Sequence, residues 1–379
     1  MRLGSDYLRD SKIIIIGAGV VGAALAYRLS QAGAQVTTVE RRYPGSGTTS
    51  NSFAWLNSFD KPPRHYHRLN IQSIRDHQDL EDELNGDWVH LDGGIHWEHA
   101  DDEQHVKQMR TRMKALREWG VRVDTTTPEV VMREVEPDLW IDPEKVSEVF
   151  VCPREGVLDA VAMTHGVLHG AMLRYGAQFV KGTVTGLKGA SGSVNTVVLE
   201  DGRELSGDVI VNAAGPDANR VAALAGVSIA MGHTLGFTLV TPPAPICLKH
   251  LAHSPEATFR PEGAGRLIIR NRDIDGHLVD PTPLPADSPL VRDVMERARL
   301  VVPGLAEIEP VQIKTGIRPM PKDGRSIVGF EPSVSGLYTL VTHSGITLSA
   351  RLALLVTEEL AGGDTTELEP YRPDRFIEQ

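Results

Sequence analysis

A wholly apolar run, Ile13 to Ile16, stops abruptly at Gly17. Small and apolar residues (Ala23, Ala24, Leu25, Ala26) follow at helical spacing, and a second apolar run, Val36 to Val39, closes on Glu40. Short apolar runs bounded by glycine or charge predict buried strands, so this opening reads strand, tight turn, helix, strand. Between Arg64 and Leu84, Leu69, Ile71, Ile74, Leu80 and Leu84 recur among charges at a helical period, predicting a half-buried helix. Val89 to Ala100 alternates apolar and polar around Gly93-Gly94, which predicts a strand or hairpin. Asp101 to Trp119 predicts a charged amphipathic helix closed by Gly120.

Further on, Val149 to Gly156 reads as a strand and turn, and Leu158 to Tyr175 as a helix with Gly176 at its C-cap position. Strands are expected around Gln178 to Leu187 and Asn195 to Glu200, with a turn at Asp201-Gly202. Val209 to Val211 forms another buried strand that stops at a small-residue turn, Ala213-Ala214-Gly215. From Ser228 to Gln312 the pattern changes to prolines and short alternating strands, with one amphipathic helix at Leu290 to Leu300. The chain ends with Lys314 to Phe330, a strand beginning at Gly336, and a small-residue helix from Ile346 to Leu360. Long α/β segments around an antiparallel middle predict two intertwined domains.

The first segment carries specific chemistry. Gly17, Gly19 and Gly22, with Ala18, Val20 and Val21 between them, form G-x-G-x-x-G directly after a strand and before a helix. The first glycine allows the turn, the second lets backbone approach a pyrophosphate, and the third lets helix and strand pack closely. The helix N-terminus offers unpaired N–H groups to phosphate. Glu40 stands where a carboxylate accepting from ribose hydroxyls is expected. A secretory signal is the competing reading, since Arg2, Arg9 and Lys12 precede the apolar run. The glycines interrupt that run and no small-residue cleavage site follows, so a dinucleotide site is the better reading. The loop Tyr43 to Asn57 turns at Pro44-Gly45 and offers Thr48, Thr49, Ser50 and Ser52 as hydroxyls and as a helix N-cap.

Composition narrows the remaining classes. The net charge of −11 argues against nucleic acid, whose phosphates require a basic face. No apolar run approaches the length needed to span a bilayer. Two cysteines, Cys152 and Cys247, are too few for a disulfide framework, and a reducing, cytoplasmic setting is expected. His65, His67, His77, His90, His96, His99 and His105 cluster in sequence, but no cysteine stands near them and strand alternation separates neighbours. No metal site is expected.

Four stretches together, GAGVVGAALAYRL…TVERR, GTTSNSFAWLN, VNAAGP and GIRPMPKDGRSIVG…GLYTLVTHSGITLSA, resemble the FAD-dependent amine and amino-acid oxidoreductases of the D-amino acid oxidase, glycine oxidase and sarcosine oxidase superfamily. The resemblance implies an α/β fold with a Rossmann-type FAD-binding domain (1–85, 150–225 and 318–379). It also implies a substrate domain (86–149 and 226–317) with a mainly antiparallel sheet and flanking helices. Glu40, Arg41 and Arg42 would serve the adenosine end, Gly47 with Thr48 to Ser52 would run beside the pyrophosphate and flavin, and Val184 would contact adenine through its backbone. Ala213, Ala214 and Gly215 would leave room for the cofactor. His343, Ser344, Gly345, Ile346 and Thr347 would open the last helix under the flavin.

Arg318 matches the family's substrate-carboxylate arginine; a structural ion pair at a domain seam is its alternative. Arg318 and His343 are thus the catalytic candidates, with His233, Phe237, Phe259 and Arg270 as pocket candidates. Gly316 stands where covalent relatives attach flavin, so FAD is expected to be non-covalent. The implied reaction is oxidation of an amino acid or N-substituted amino acid to an imine by hydride transfer to flavin N5, then hydrolysis. Oxygen or another acceptor would recycle the flavin. An NAD-dependent dehydrogenase and a non-catalytic FAD-binding subunit are the rivals, and a homo-oligomer is compatible with the sequence.

Overall fold

The computed structural model describes residues 8–377. Arg2, named above, lies outside them. Strand β1 (Lys12–Ile16) is central in a six-stranded sheet, flanked by β2 (Gln35–Glu40) and by Val209–Asn212. Both pairings are parallel. Beyond β2 lies Gln178–Lys181, also parallel; beyond Val209–Asn212 lies Leu337–Val341, parallel again, with Ile327–Phe330 antiparallel at the edge. Ile13 to Ile16 are buried because both faces of this sheet are covered. Helix α1 (Val20–Gln31), Ala160–Tyr175 and Gly345–Leu360 cover one face, joined by α2 (Arg64–Leu84). An antiparallel meander, Val184–Lys188, Thr196–Leu199 and Glu204–Ser206, packs over the other. The run of small residues Ala23 to Ala26 is buried throughout, which lets α1 approach its helical neighbours closely.

The second sheet has eight strands in the order Gln312–Pro321, Met231–Val240, Leu267–Arg270, Thr258–Pro261, Leu251–His253, Gly94–His96, Val149–Cys152 and Asp124–Thr126. Every pairing is antiparallel except Leu251–His253 with Gly94–His96. Its own core, with Phe237, Phe259 and Ile269 at the centre, is closed by the amphipathic helix Pro289–Val301. The boundaries expected at 149/150 and 317/318 fall inside Val149–Cys152 and Gln312–Pro321, both continuous strands of this sheet.

Three local expectations are corrected. Val89 to Ala100 is not a hairpin: Val89–His90 pairs with Gly156–Leu158, whereas Gly94–His96 joins the eight-stranded sheet. Leu158 ends a strand; the following helix starts at Ala160 because the Asp159 side chain accepts from the Ala162 N–H. The hydroxyl-rich loop 43–52 caps no helix of its own and is built of turns.

Helix α2 is tied to the last helix by His77, whose Nε2–H donates to the Ile346 carbonyl at 2.9 Å. Burial pulls the His77 pKa down to about 4. The unfolded chain therefore takes up a proton near pH 6.5 that the native chain refuses until about 4, so this contribution to stability is lost as pH falls through that window. Adjacent Asp76 opposes it: burial raises its pKa to about 6, so the native state protonates first and that contribution is lost as pH rises. Comparing His77→Gln with the parent isolates one sign. The variant's unfolding free energy, from denaturant titration, should fall less between pH 7 and pH 4.5, by on the order of 3 kcal/mol at most; parallel pH dependences would contradict this account.

Candidate active site

The five parallel strands deliver their C-terminal ends to one place: Gly17 after β1, Glu40 on β2, Gly182 to Val184, Ala213 to Gly215, and Thr342 to Ser344. They line one end of a cavity of about 1290 Å³, whose other end is walled by Thr234, Gly236, Arg270, Gly316 and Arg318 of the second sheet. A crevice beyond the carboxyl ends of parallel strands is the ligand position this topology favours.

At the first end, backbone meets backbone. Gly17 has φ +107°, and a Cβ there would fall 2.5 Å from the Ala213 carbonyl oxygen. A Cβ on Gly22 would fall 2.0 Å from the Gly17 carbonyl oxygen. Gly22 and Ala18 thus shape the turn without facing the cavity, whereas Gly17, Gly19, Val20 and Val21 line it. The Val20 N–H at the start of α1 donates to Thr49 Oγ1 at 3.1 Å, so the hydroxyl loop caps the first helix rather than one of its own. Glu40 accepts from the Ala18 N–H at 3.2 Å and the Arg42 N–H at 3.0 Å, bracing the turn at the cavity wall. Arg41 pairs with Asp217 at 2.7 Å and Arg42 donates to the Ser46 carbonyl at 2.9 Å, so these guanidiniums hold neighbouring loops in place. Gly47, Thr48, Thr49 and Ser52 line the cavity with Asn51, while Ser50 turns back to the Gly47 carbonyl. Thr48 donates to the Ile317 carbonyl at 2.6 Å, fastening this loop to the second sheet. Val184, Ala213, Ala214 and Gly215 line the same end.

Where the domains meet, the last helix begins. Gly345, Ile346 and Thr347 line the cavity at its N-terminus. Ser344 accepts from Lys61 Nζ at 3.2 Å and from the Tyr66 hydroxyl at 3.1 Å. His343 faces into the cavity; burial, then Lys61, Arg318, Arg270 and Arg272, lower its pKa to about 4, and the ring is neutral at physiological pH. Arg318 donates from Nη2 to Asp275 at 2.7 Å and from Nη1 to the Leu235 carbonyl at 3.1 Å. Its guanidinium lies across Gly236, where a Cβ would fall 1.8 Å from Nη2. Arg270 stands over the Phe53 ring, 5.2 Å from its centroid, with its pKa lowered to about 10 by burial and then by Arg318. Trp55 and Phe59, stacked at 5.9 Å, and His253 supply an aromatic wall.

Three pocket candidates lie elsewhere. Phe237 and Phe259 are fully buried in the core of the second sheet, because strand alternation turns Phe237 away from the face that carries Gly236 and Thr238. His233 is exposed and its Nε2 meets the Pro216 carbonyl at 2.6 Å, outside the cavity. Lys61, Asp275 and Arg272 carried no sequence signal, being isolated charges in irregular or short segments. The expectation that no cysteine accompanies the histidines is corrected as well. Cys152, His96 and Glu155 approach within 4.8 Å in the interior, because Gly94–His96 pairs with Val149–Cys152. Glu155 is engaged there by the Trp55 indole N–H at 3.1 Å and by His96 at 3.0 Å.

The model for the family described as FAD dependent oxidoreductase matches residues 12–359. The chain belongs to this family. A subunit of opine oxidase from Agrobacterium tumefaciens (strain Ach5) is 26% identical over 377 residues, covering 96% of this chain and 97% of that one. Among solved structures, L-proline dehydrogenase from P. horikoshii superposes with a TM-score of 0.84 at 22% identity, covering 98% of each chain. Glycine oxidase from Geobacillus kaustophilus superposes with a TM-score of 0.84 at 23% identity over 97% of this chain and 100% of that one. These likenesses bear out the expected α/β fold.

FAD is the hallmark of the family, and the residues here fit it. The Cβ-free cradle at Gly17 and Gly22, the α1 N-terminus and the elongated cavity match a ligand with a pyrophosphate at its middle. Among the described residues, no helix of this FAD-dependent oxidoreductase is long and apolar enough to cross a membrane.

The stacking of Arg318 on Gly236 generates a test away from both charged partners. Gly236→Ala should retain FAD yet displace the guanidinium. Apparent affinity for carboxylate-bearing substrates in anaerobic flavin reduction should weaken at least about tenfold, the scale of a lost charged hydrogen-bond pair. Undiminished affinity would separate Arg318 from the substrate.

Proposed function

We propose that this enzyme oxidises the C–N bond of an amino acid or N-substituted amino acid, gripping the substrate carboxylate with Arg318 beside non-covalently held FAD. The observation that carries this reading is the placement of Arg318. Its guanidinium is held by Asp275 and the Leu235 carbonyl, yet lines the cavity across from the N-terminus of the last helix. N–H groups remaining on the fork match the two oxygens of a carboxylate and fix the orientation of the α-carbon. The names of the relatives, opine oxidase and glycine oxidase, agree with such a substrate.

FAD held by the Gly17–Gly22 turn and the start of the last helix would supply a two-electron acceptor for a hydride from the substrate carbon. The protein's part is to hold the amine uncharged and aligned. Lys61, Arg270, Arg272 and Arg318 surround this end of the cavity and disfavour an ammonium, lowering the substrate amine's pKa without a dedicated base. Neutral His343 adds no further positive charge. As the hydride leaves with its electron pair, the nitrogen lone pair forms the C=N bond; the imine then adds water to give a carbonyl compound and an amine. The N-terminus of Gly345–Leu360 favours negative charge on whatever lies against it. Gly316 at the wall offers no side chain for covalent attachment, which supports non-covalent FAD. Oxygen or another acceptor would then receive the electrons.

An anaerobic titration of the yellow holoenzyme with amino acids, N-substituted amino acids and their decarboxylated counterparts tests this reading. Carboxylate-bearing amines should bleach the flavin, and air should restore it only if oxygen is the acceptor. Arg318→Ala should keep FAD and lose about 10- to 100-fold in efficiency toward carboxylate substrates, with little change for amines lacking one. A flavin that no amine bleaches would remove the proposed activity.

A further inference from the structure

The walls of the substrate end carry more positive charge than one carboxylate needs. Lys61, Arg112, Arg270, Arg272 and Arg318 face Asp60 and Asp275 there. Arg112 pairs with Asp60 at 3.1 Å and Arg318 with Asp275 at 2.7 Å. Lys61, Arg270 and Arg272 are left without a carboxylate partner among the described residues. Lys61 reaches only the Ser344 hydroxyl at 3.2 Å. Arg270 is the most telling of the three. Its Nε is buried and unpartnered, and among the described residues the guanidinium makes no hydrogen bond or ion pair; it rests on the Phe53 ring and turns its remaining surface to the cavity.

Arg270 is half-buried, and holding a cation there with its Nε buried and no anion beside it is costly, because no protein group answers its donors. Such a group persists where a ligand supplies the missing charge. Of the guanidiniums at this end, Arg318 has its charge answered by Asp275 and Arg112 by Asp60, whereas Arg270 has neither an ion pair nor a hydrogen bond among the described residues.

We infer that the substrate is a dianion: one carboxylate lies on Arg318 and a second anionic group, of carboxylate chemistry, lies on Arg270. This rests on the amine-oxidising reading for the identity of the site, and it narrows the substrate to amines carrying two acids, such as N-carboxyalkyl amino acids. The chain carries a net charge of −11, and against that balance the group of cations at this end of the cavity stands out. The aromatic wall of Trp55 and Phe59 bounds the same space and accommodates the hydrocarbon between the two acids.

Non-oxidisable probes separate this inference from the proposed activity. In thiodiacetate and thiodipropionate sulfur replaces the amine nitrogen, and the monomethyl ester of each is a monoanion of similar shape. Binding to the FAD-loaded enzyme is read from perturbation of the flavin spectrum. At least one diacid should bind about tenfold or more tightly than its monoester. Arg270→Gln should bring the two within about threefold of each other, and Arg270→Lys, which keeps the charge, should restore part of the preference. Equal binding of diacid and monoester, no perturbation by either, or a preference that survives intact in Arg270→Gln would overturn the second anion site. The wild-type comparison stands even if the glutamine variant fails to fold. A diacid preference in an enzyme that no amine bleaches would leave the anion site intact and defeat the amine-oxidising reading; bleaching by amines without a diacid preference would do the reverse.

Discussion

The rest of the structure depends on backbone packed against backbone at Gly17. A Cβ there would collide with the Ala213 carbonyl, and a Cβ on Gly22 with the Gly17 carbonyl, so the turn after the first strand tolerates no side chain. That closeness lets β1, α1 and the Val209–Asn212 strand share one corner, from which the α1 N-terminus faces the cavity. The neighbouring strands then end at the same level and bring Glu40, Val184, Ala213 and His343 to one wall. Thr49 completes the corner by capping α1 from the next loop. A site for an anionic dinucleotide follows from the geometry of strand ends and a helix dipole, with few charged side chains needed.

The opposite end of the cavity works by a different principle. Charge there resides in side chains, and those charges are mostly cations held close together by the fold. Burial first, and then the neighbouring cations, lower the readiness of these groups to stay protonated, so His343 is neutral and Arg270 sits below its usual range. Such a field disfavours a protonated amine and attracts carboxylates, so in the proposed reaction substrate binding and preparation of the reactive form would come from the same residues. Asp275 tempers the field at Arg318 and fixes that guanidinium's direction, while Gly236 leaves the space in which it lies.

Two sheets of different character are joined by a few directed contacts. Thr48 reaches from the nucleotide side to the Ile317 carbonyl on the strand that carries Arg318. Thr347, in the first turn of the last helix, donates to the Trp55 carbonyl at 3.3 Å. Through these contacts the loop 43–52, the last helix and the strand that carries Arg318 keep fixed relative positions, as the proposed orientation-dependent chemistry requires.

The sequence by itself determined the strand–turn–helix–strand opening, the α2 helix from Arg64 to Leu84, the last helix and the antiparallel character of the middle segment. Each rests on local periodicity or on glycine at a turn, which neighbouring residues alone can express. The glycine motif, Glu40 and the 213–215 turn were legible for the same reason, whereas the 343–347 loop was legible only through the family resemblance. Only the tertiary structure decided what each side chain faces. Phe237 and Gly236 are adjacent in the chain, yet one fills the core and the other floors Arg318, because strand register chooses the face. Asp275 lies 43 residues from Arg318, and Cys152 lies in a strand far from His96 in sequence; strand pairing and the helical turn before Gly276 bring each to its partner. The unanswered charge on Arg270 is of the same kind, since whether a guanidinium finds a carboxylate depends on everything folded around it.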